Sequence, residues 1–247
     1  MAGTAVLGRL NWARATVAAV TEETPRVRTL VLYIDGWTGH RAGQHLDVRL
    51  TAEDGYRAER AYSIATAPGE APAITVERLD DGEVSAYLTE VVRPGDAFDV
   101  RGPIGGYFIW EPEHGGPLLL VGGGSGVVPL RAMLRHRSRS RSDIPARLLF
   151  SARTEEDVIY REELEQPDNN ADVVFTLTRA QPPGWTGYAQ RVNTELLRKT
   201  AWPAAERPLA FVCGPTSFVE AVASSLLALG YEPRRVKTER FGAAGSP

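Results

Sequence analysis

Cysteine is almost absent. A lone Cys213 in 247 residues excludes a disulfide framework and any intrachain four-thiolate metal or iron–sulfur centre. Charge of one sign is lacking too: 28 basic against 31 acidic residues leave a formal net charge of −3, which gives no reason to expect a nucleic-acid partner. No apolar run approaches the length of a membrane-spanning helix. In the opening MAGTAVLGRLNWAR, Arg9 and Arg14 interrupt the apolar stretch before it reaches signal-peptide length, so the expected location is the cytoplasm. His40, His45, His114 and His136 show no metal-ligand spacing, and there is no HExxH. The acid pairs Glu22-Glu23 and Glu162-Glu163 suit exposed turns or helix faces rather than acid–base catalysis.

What is present divides into two halves with different periodicities. The first ~110 residues read as short strands broken by turn residues, the pattern of an all-β barrel or sandwich. Expected strands are Ala15–Val20, Val27–Ile34, His45–Leu50, Arg60–Ile64, Ala73–Arg78 and Ala97–Arg101, with turns at 36–39, 54–55, 68–69, 81–82 and 94–96. Val84, Leu88 and Val91 lie at i, i+4, i+7, so one helix is expected among them.

After Glu111–Pro117 the pattern becomes continuous apolar runs alternating with helical stretches: Leu118–Val121, Leu148–Phe150, Val173–Leu177, Leu209–Cys213 and a last run near Val236. Such runs suit strands buried on both faces of a parallel sheet. Thr216–Leu229 reads as a helix N-capped by Thr216, buried along Phe218, Val219, Val222 and Leu226, and closed by Gly230. The expected fold is therefore an antiparallel β-barrel domain over residues 1–112, then a five-stranded parallel α/β domain over residues 113–247.

Between the first run of the second half and a helical pattern stand Gly122, Gly123, Gly124, Ser125 and Gly126. Amides at such a strand-to-helix turn suit an anion, and a nucleotide phosphate is the natural one. No Gly-Lys-Ser/Thr follows, so it is not a P-loop. Val127 stands where both the dinucleotide fingerprint and the nucleophile elbow require glycine.

Three further stretches complete a pattern: Arg60-Ala-Tyr-Ser63, Gly102-Pro-Ile-Gly105 and Cys213-Gly-Pro215. With the Gly122–Pro129 loop, in this order and on a β-then-α/β chain, the sequence resembles the ferredoxin–NADP reductase superfamily of flavoprotein reductases over about residues 12 to 242. The resemblance implies roles. Arg60 would pair with a flavin phosphate, Tyr62 would lie against the isoalloxazine, and Ser63 would hydrogen-bond near N5. Gly82, Val84 and Ser85 match a Gly-x-x-Ser turn that holds the diphosphate of FAD, which favours FAD over FMN. Gly122–Gly126 would take the diphosphate and nicotinamide side of NADPH or NADH, and Cys213, Gly214 and Pro215 would line the nicotinamide. Cys213 reads as a small packing thiol, not a nucleophile. Glu239-Arg-Phe241 matches a Glu-x-aromatic ending in which Phe241 covers the other flavin face and yields to nicotinamide. A tail of small residues, Gly242–Pro247, departs from that pattern.

For the coenzyme, no acid follows the second run of the α/β half where a ribose 2′-hydroxyl would be read, whereas Ser151, Arg153 and Arg179 suit a 2′-phosphate. NADPH is the expectation, although Glu155, Glu156 and Asp157 follow at once. Relatives often carry their own iron–sulfur domain, and one cysteine cannot supply it, so electrons are expected to leave the chain for a separate acceptor such as a ferredoxin or an oxygenase. Arg131, Arg135, Arg137, Arg139, Arg141 and Arg147, crowded into seventeen residues, are the expected docking patch. Two alternatives remain: a reductase of free flavin, quinone or ferric chelates, and a non-catalytic nucleotide-binding subunit.

Overall fold

Alternating apolar residues in the first half fold as six antiparallel strands: β1 (Ala13–Thr24), β2 (Val27–Ile34), β3 (His45–Thr51), β4 (Arg57–Ser63), β5 (Ala73–Glu77) and β6 (Ala97–Ile104). This computed structural model describes residues 10–166 and 171–241, so the Gly242–Pro247 tail lies outside the described residues. The strand order is β4-β3-β6-β1-β2-β5. Its two edges meet through the Ile64–Ile74 bridge and a 2.8 Å bond from Ala65 N–H to the Ala73 carbonyl, which curls the sheet into a barrel. Leu30, Leu32, Leu46, Ile64, Ile74 and Val76 fill its interior.

The helix between β5 and β6 differs from its sequence pattern. It starts as α1 (Glu83–Ala86) and continues as a π-helical turn over Tyr87–Val91, closed by Val92 N–H donating to the Tyr87 carbonyl at 3.1 Å. The wider turn shifts the buried stripe by one residue, so Val84, Leu88 and Val92 are buried while Val91 is exposed. Asp81-Gly82 accordingly leads into a helix, with Gly82 as its N-cap.

The second half forms a parallel sheet of β7 (Leu118–Gly123), β8 (Ala146–Ala152), β9 (Asp172–Leu177), β10 (Leu209–Pro215) and β11 (Val236–Phe241), ordered β11-β10-β7-β8-β9. Its continuous apolar runs follow from burial on both faces. Leu118 and Leu120 join one core, Leu119 and Val121 the other. The helices are α2 (Val127–Arg139), α3 (Arg161–Leu164), α4 (Thr194–Thr200) and α5 (Thr216–Ala228). Thr216 does not cap α5. It is the first helical residue, and its hydroxyl donates to the Phe241 carbonyl at 3.5 Å. The first core runs across the seam, packing Ala42 and Ala65 of the barrel half with Trp110, Val128 and Met133.

Gly126 shows why the turn before α2 is glycine-rich. A Cβ there would stand 2.1 Å from the Cys213 carbonyl oxygen, so α2 can cross β10 only because that atom is missing. Gly126 thus performs the helix–strand packing for which Val127 seemed misplaced. At Gly55, by contrast, φ is +88° and the space is open. Gly126→Ala is expected to cost about 3 kcal/mol through steric displacement, and Gly55→Ala about 1 kcal/mol through backbone conformation alone. Thermal unfolding of both variants checks the contrast.

Candidate functional site at the seam of the two sheets

The carboxyl ends of the parallel strands bring three of the sequence-identified positions into one row. Cys213 pairs with Gly122 of β7 on one side and with Glu239 of β11 on the other. Cys213 is fully buried, and burial together with the Glu239 carboxylate pushes its thiol well above the usual range. A neutral thiol is a packing group, not a nucleophile. Burial also pushes the Glu239 carboxyl up to about 7, and its Oε2 is enclosed with no hydrogen-bond partner among the described residues. Phe241, two residues on, is half-buried against the seam core. The ring of Phe218 fills the space that a Cβ on Gly123 or Gly214 would need, at 3.0 and 2.9 Å.

On the barrel side, Arg60 and Tyr62 share one face of β4 and Ser63 the other. Tyr62 is half-buried against the barrel core, and its phenol is pushed up by burial. Arg60 is exposed, with Nη1 donating to the Glu59 carbonyl at 2.7 Å. Ser63 is buried at the strand's end. The Ser85 hydroxyl is less available than its motif implies. It accepts from Leu79 N–H at 3.1 Å and donates to the Gly82 carbonyl at 3.0 Å, so it closes its own turn. Gly82 is required there because a Cβ would meet Ser85 Oγ at 2.3 Å.

At the end of β8, Ser151 is buried, while Arg153 and Arg179 are exposed and lie side by side through a 2.9 Å bond from Arg179 N–H to the Arg153 carbonyl. Two of the three acids that follow are engaged elsewhere. Asp157 caps Thr154 through bonds of 2.9 and 3.1 Å, and Glu155 pairs with Arg161 at 2.6 Å.

The arginine run does not form the expected surface. Arg131 and Arg137 are buried. Arg131 grips Glu163 and donates from Nη1 to the Ala65 carbonyl at 3.1 Å. Arg135 reaches Glu163 at 2.8 Å and Glu70 at 3.1 Å, Arg139 reaches Glu70 at 3.5 Å, and Arg137 Nε donates to the Ile144 carbonyl. Arg147 pairs with Asp172 at 2.7 Å under the Trp202 ring. Arg141 alone of the six has no such role among the described contacts. Glu163 is therefore no free surface acid: burial works to raise its carboxyl, but Arg131 and Arg135 outweigh that and hold it low.

A different positive feature is built from residues far apart in sequence. A cavity of about 560 Å³ at the seam is lined by Arg41, Arg234, Arg235 and Lys237 with Tyr107 and Phe211, and no acid lines it. Phe211 and Lys237 stand two residues before Cys213 and Glu239 on the same strands, and so on the same face of the sheet.

One feature fits a bound group at this seam: the enclosed Glu239 oxygen, which has no hydrogen-bond partner among the described residues. Comparison with known proteins agrees. Residues 15–109 match the Oxidoreductase FAD-binding domain and residues 120–224 the Oxidoreductase NAD-binding domain. The chain is 37% identical over 209 residues to Ferredoxin–NADP reductase B of Sorangium cellulosum, covering 81% of this chain and 84% of that protein. It is 30% identical over 233 residues to the glycine betaine monooxygenase reductase subunit of Chromohalobacter salexigens, covering 91% of this chain but only 62% of that one. The FAD/NAD-binding domain of nitric oxide dioxygenase from Vibrio cholerae matches with a TM-score of 0.84 at 24% identity, over 95% of this chain and 100% of that chain.

Fold and site together define an NAD(P)H-dependent flavoprotein oxidoreductase whose flavin is FAD. The chain belongs to the ferredoxin–NADP reductase superfamily.

The Glu239 carboxyl makes a pH-dependent prediction. Its folded value, about 7, lies above the ordinary 4.5, so burial of the carboxylate costs nothing below pH 4.5 and its full amount above pH 7. Glu239→Gln is expected to stabilise the chain by about 2 kcal/mol at pH 8.5 and to change little at pH 4. Thermal midpoints at the two pH values read the difference; equal shifts at both would remove Glu239 as the titrating group.

Proposed function

We propose that this protein takes hydride from NADPH at the seam and passes the electrons singly to a separate acceptor protein. The observation that carries the proposal is the row of Gly122, Cys213 and Glu239 at the carboxyl ends of β7, β10 and β11, where open α/β sheets receive their ligands. Bound FAD supplies the chemistry that converts a two-electron hydride into two single-electron transfers.

The chain's own residues divide the remaining work. Arg60 offers a forked donor to a flavin phosphate, Tyr62 an apolar face to the isoalloxazine, and Ser63 a hydroxyl near N5. At Gly82–Ser85 the contribution is the backbone N–H groups of the first helical turn, since the Ser85 hydroxyl is engaged. The turn at Gly122–Gly126 admits the nucleotide's diphosphate, and Cys213, Gly214 and Pro215 flank the nicotinamide without adding charge. Glu239 Oε2 holds or releases a proton close to neutral pH. Phe241, half-buried against the seam core, would cover the flavin and give way to the nicotinamide. Ser151, Arg153 and Arg179 read the 2′-phosphate, a reading supported by the engagement of Glu155 and Asp157 with other partners.

Reductase components of oxygenases among the relatives support a protein acceptor. For its docking we favour the basic seam cavity over the helix arginines: Arg41 pairs with Glu111 at 2.8 Å, but Arg234, Arg235 and Lys237 have no carboxylate partner among the described ion pairs, and they adjoin the Cys213–Glu239 row. No helix of the described residues is long and apolar enough to cross a membrane. We place the protein in the cytoplasm, where its reductant is made.

Anaerobic oxidation of NADPH with ferricyanide as a one-electron acceptor tests the proposal. FAD-loaded protein is expected to turn over NADPH faster than NADH. Arg153→Ala with Arg179→Ala reverses that preference by about tenfold or more, and Ser63→Ala lowers turnover with FAD retained. Absence of nucleotide oxidation by the loaded protein would refute it.

A further inference from the structure

The arginine run and the Glu162-Glu163 pair have no part in the chemistry above, yet the structure spends several of their charges on one device. Arg131, Arg135 and Arg139 stand at i, i+4 and i+8 on α2 and reach across the seam to residues 65–70 of the barrel half. Arg131 does the most. Its guanidinium donates to the Ala65 carbonyl at 3.1 Å, grips Glu163 through Nε and Nη2, and lies 4.1 Å over the ring of Tyr160. Tyr160 is buried in the left-handed conformation, at φ 60°, which a bulky residue adopts only when its surroundings compel it.

The tyrosine hydroxyl begins a second tie. It donates to Thr75 Oγ1 at 2.5 Å; Thr75 and Thr29 share a 2.8 Å bond, and Thr29 donates to Glu23 at 2.6 Å. The chain ends on a carboxylate, so every hydroxyl in it has a consistent direction. Burial pushes the Tyr160 phenol up to about 12, so it remains a donor throughout the working range.

Both ties grip beside the residues assigned to chemistry: Thr75 follows Ile74, whose bridge partner Ile64 follows Ser63. Ala65 is two residues beyond Ser63, and Arg131 is five residues beyond Gly126 on the helix that the glycine turn opens. A shift of the two halves would therefore move hydride acceptor and donor sites relative to each other before it disturbed either alone. We propose that Arg131 and Tyr160 are positioning residues for the reductive step, holding the Ser63 end of the barrel against the glycine-turn helix. Neither is among the residues assigned to nucleotide or flavin. This rests on the proposed hydride transfer at the seam.

The test compares wild type with Tyr160→Phe, Thr75→Val, Thr75→Ser and Arg131→Gln, each loaded with FAD and mixed anaerobically with NADPH in a stopped-flow spectrometer. Y160F, T75V and R131Q are expected to lower the limiting rate of flavin bleaching by about tenfold or more. T75S, which keeps the hydroxyl, stays within about twofold of wild type, as do the FAD content and apparent nucleotide affinity of all four. In the FAD-free protein, Y160F and R131Q speed amide exchange at Ala65 and Ala67 and leave β6, which holds no member of either tie, unchanged. An unaltered limiting rate in Y160F and R131Q overturns the proposal, as does a rate loss that merely follows lost FAD or nucleotide affinity. Failure of wild type itself to be reduced overturns instead the hydride reading on which the proposal stands.

Discussion

The Arg131 guanidinium is the constraint on which the two-domain arrangement depends. A buried cation is tolerated only when its charge and donors are satisfied, and here the partners come from both sides of the seam: the Glu163 carboxylate, the Ala65 carbonyl and the Tyr160 ring. Separating the halves would strip the group of one partner without returning it fully to water. That asymmetry makes the contact more decisive than its net energy suggests. The apolar core beneath adds the non-directional part of the attraction, with Ala42, Ala65, Trp110 and Met133 packed across the seam. Hydrogen bonds set the alignment; burial supplies the bulk of the adhesion.

Given that alignment, the site can be sparing with charge. Burial discourages ionisation of both Cys213 and Glu239, and for Cys213 the neighbouring Glu239 reinforces it, since a carboxylate beside a thiol opposes a thiolate. Below neutral pH the row at the carboxyl ends thus carries little charge, a setting suited to hydride, which is transferred best away from water and competing protons. Positive charge is kept a few residues back, in the seam cavity.

Sequence pattern made the architecture legible because each half repeats a simple period. Strand β2 spans the expected Val27–Ile34, and the two-sided burial of β7 explains why Leu118–Val121 shows no polar interruption. Motifs of the row were legible for a similar reason: Gly126 and Gly214 are forced by contacts with chain segments of fixed local geometry. What escaped notice crosses between the halves. Arg131 on α2 looks like a solvent charge when read within its own helix, though it reaches the Ala65 carbonyl, and nothing periodic links Tyr160 to Thr75 across 85 positions. A spacing of Arg131, Arg135 and Arg139 along one helix face was the available signal, and an acidic segment to receive it was not identifiable. The π turn after α1 likewise leaves no mark, because Val91 and Val92 are equally apolar and the choice between them belongs to the backbone. The basic cavity gathers Arg41 with residues 234–237, and only the fold can do that.

The measurement closest to the centre of this account is the visible spectrum of the FAD-loaded protein during anaerobic titration with NADPH. Loss of the oxidised-flavin absorbance, complete near one equivalent of nucleotide per flavin, is the predicted result: it would mean that the two halves hold their ligands in a single reactive arrangement. A protein that binds both FAD and nucleotide yet stays yellow would contradict the account, because the seam would then join two binding sites without coupling them.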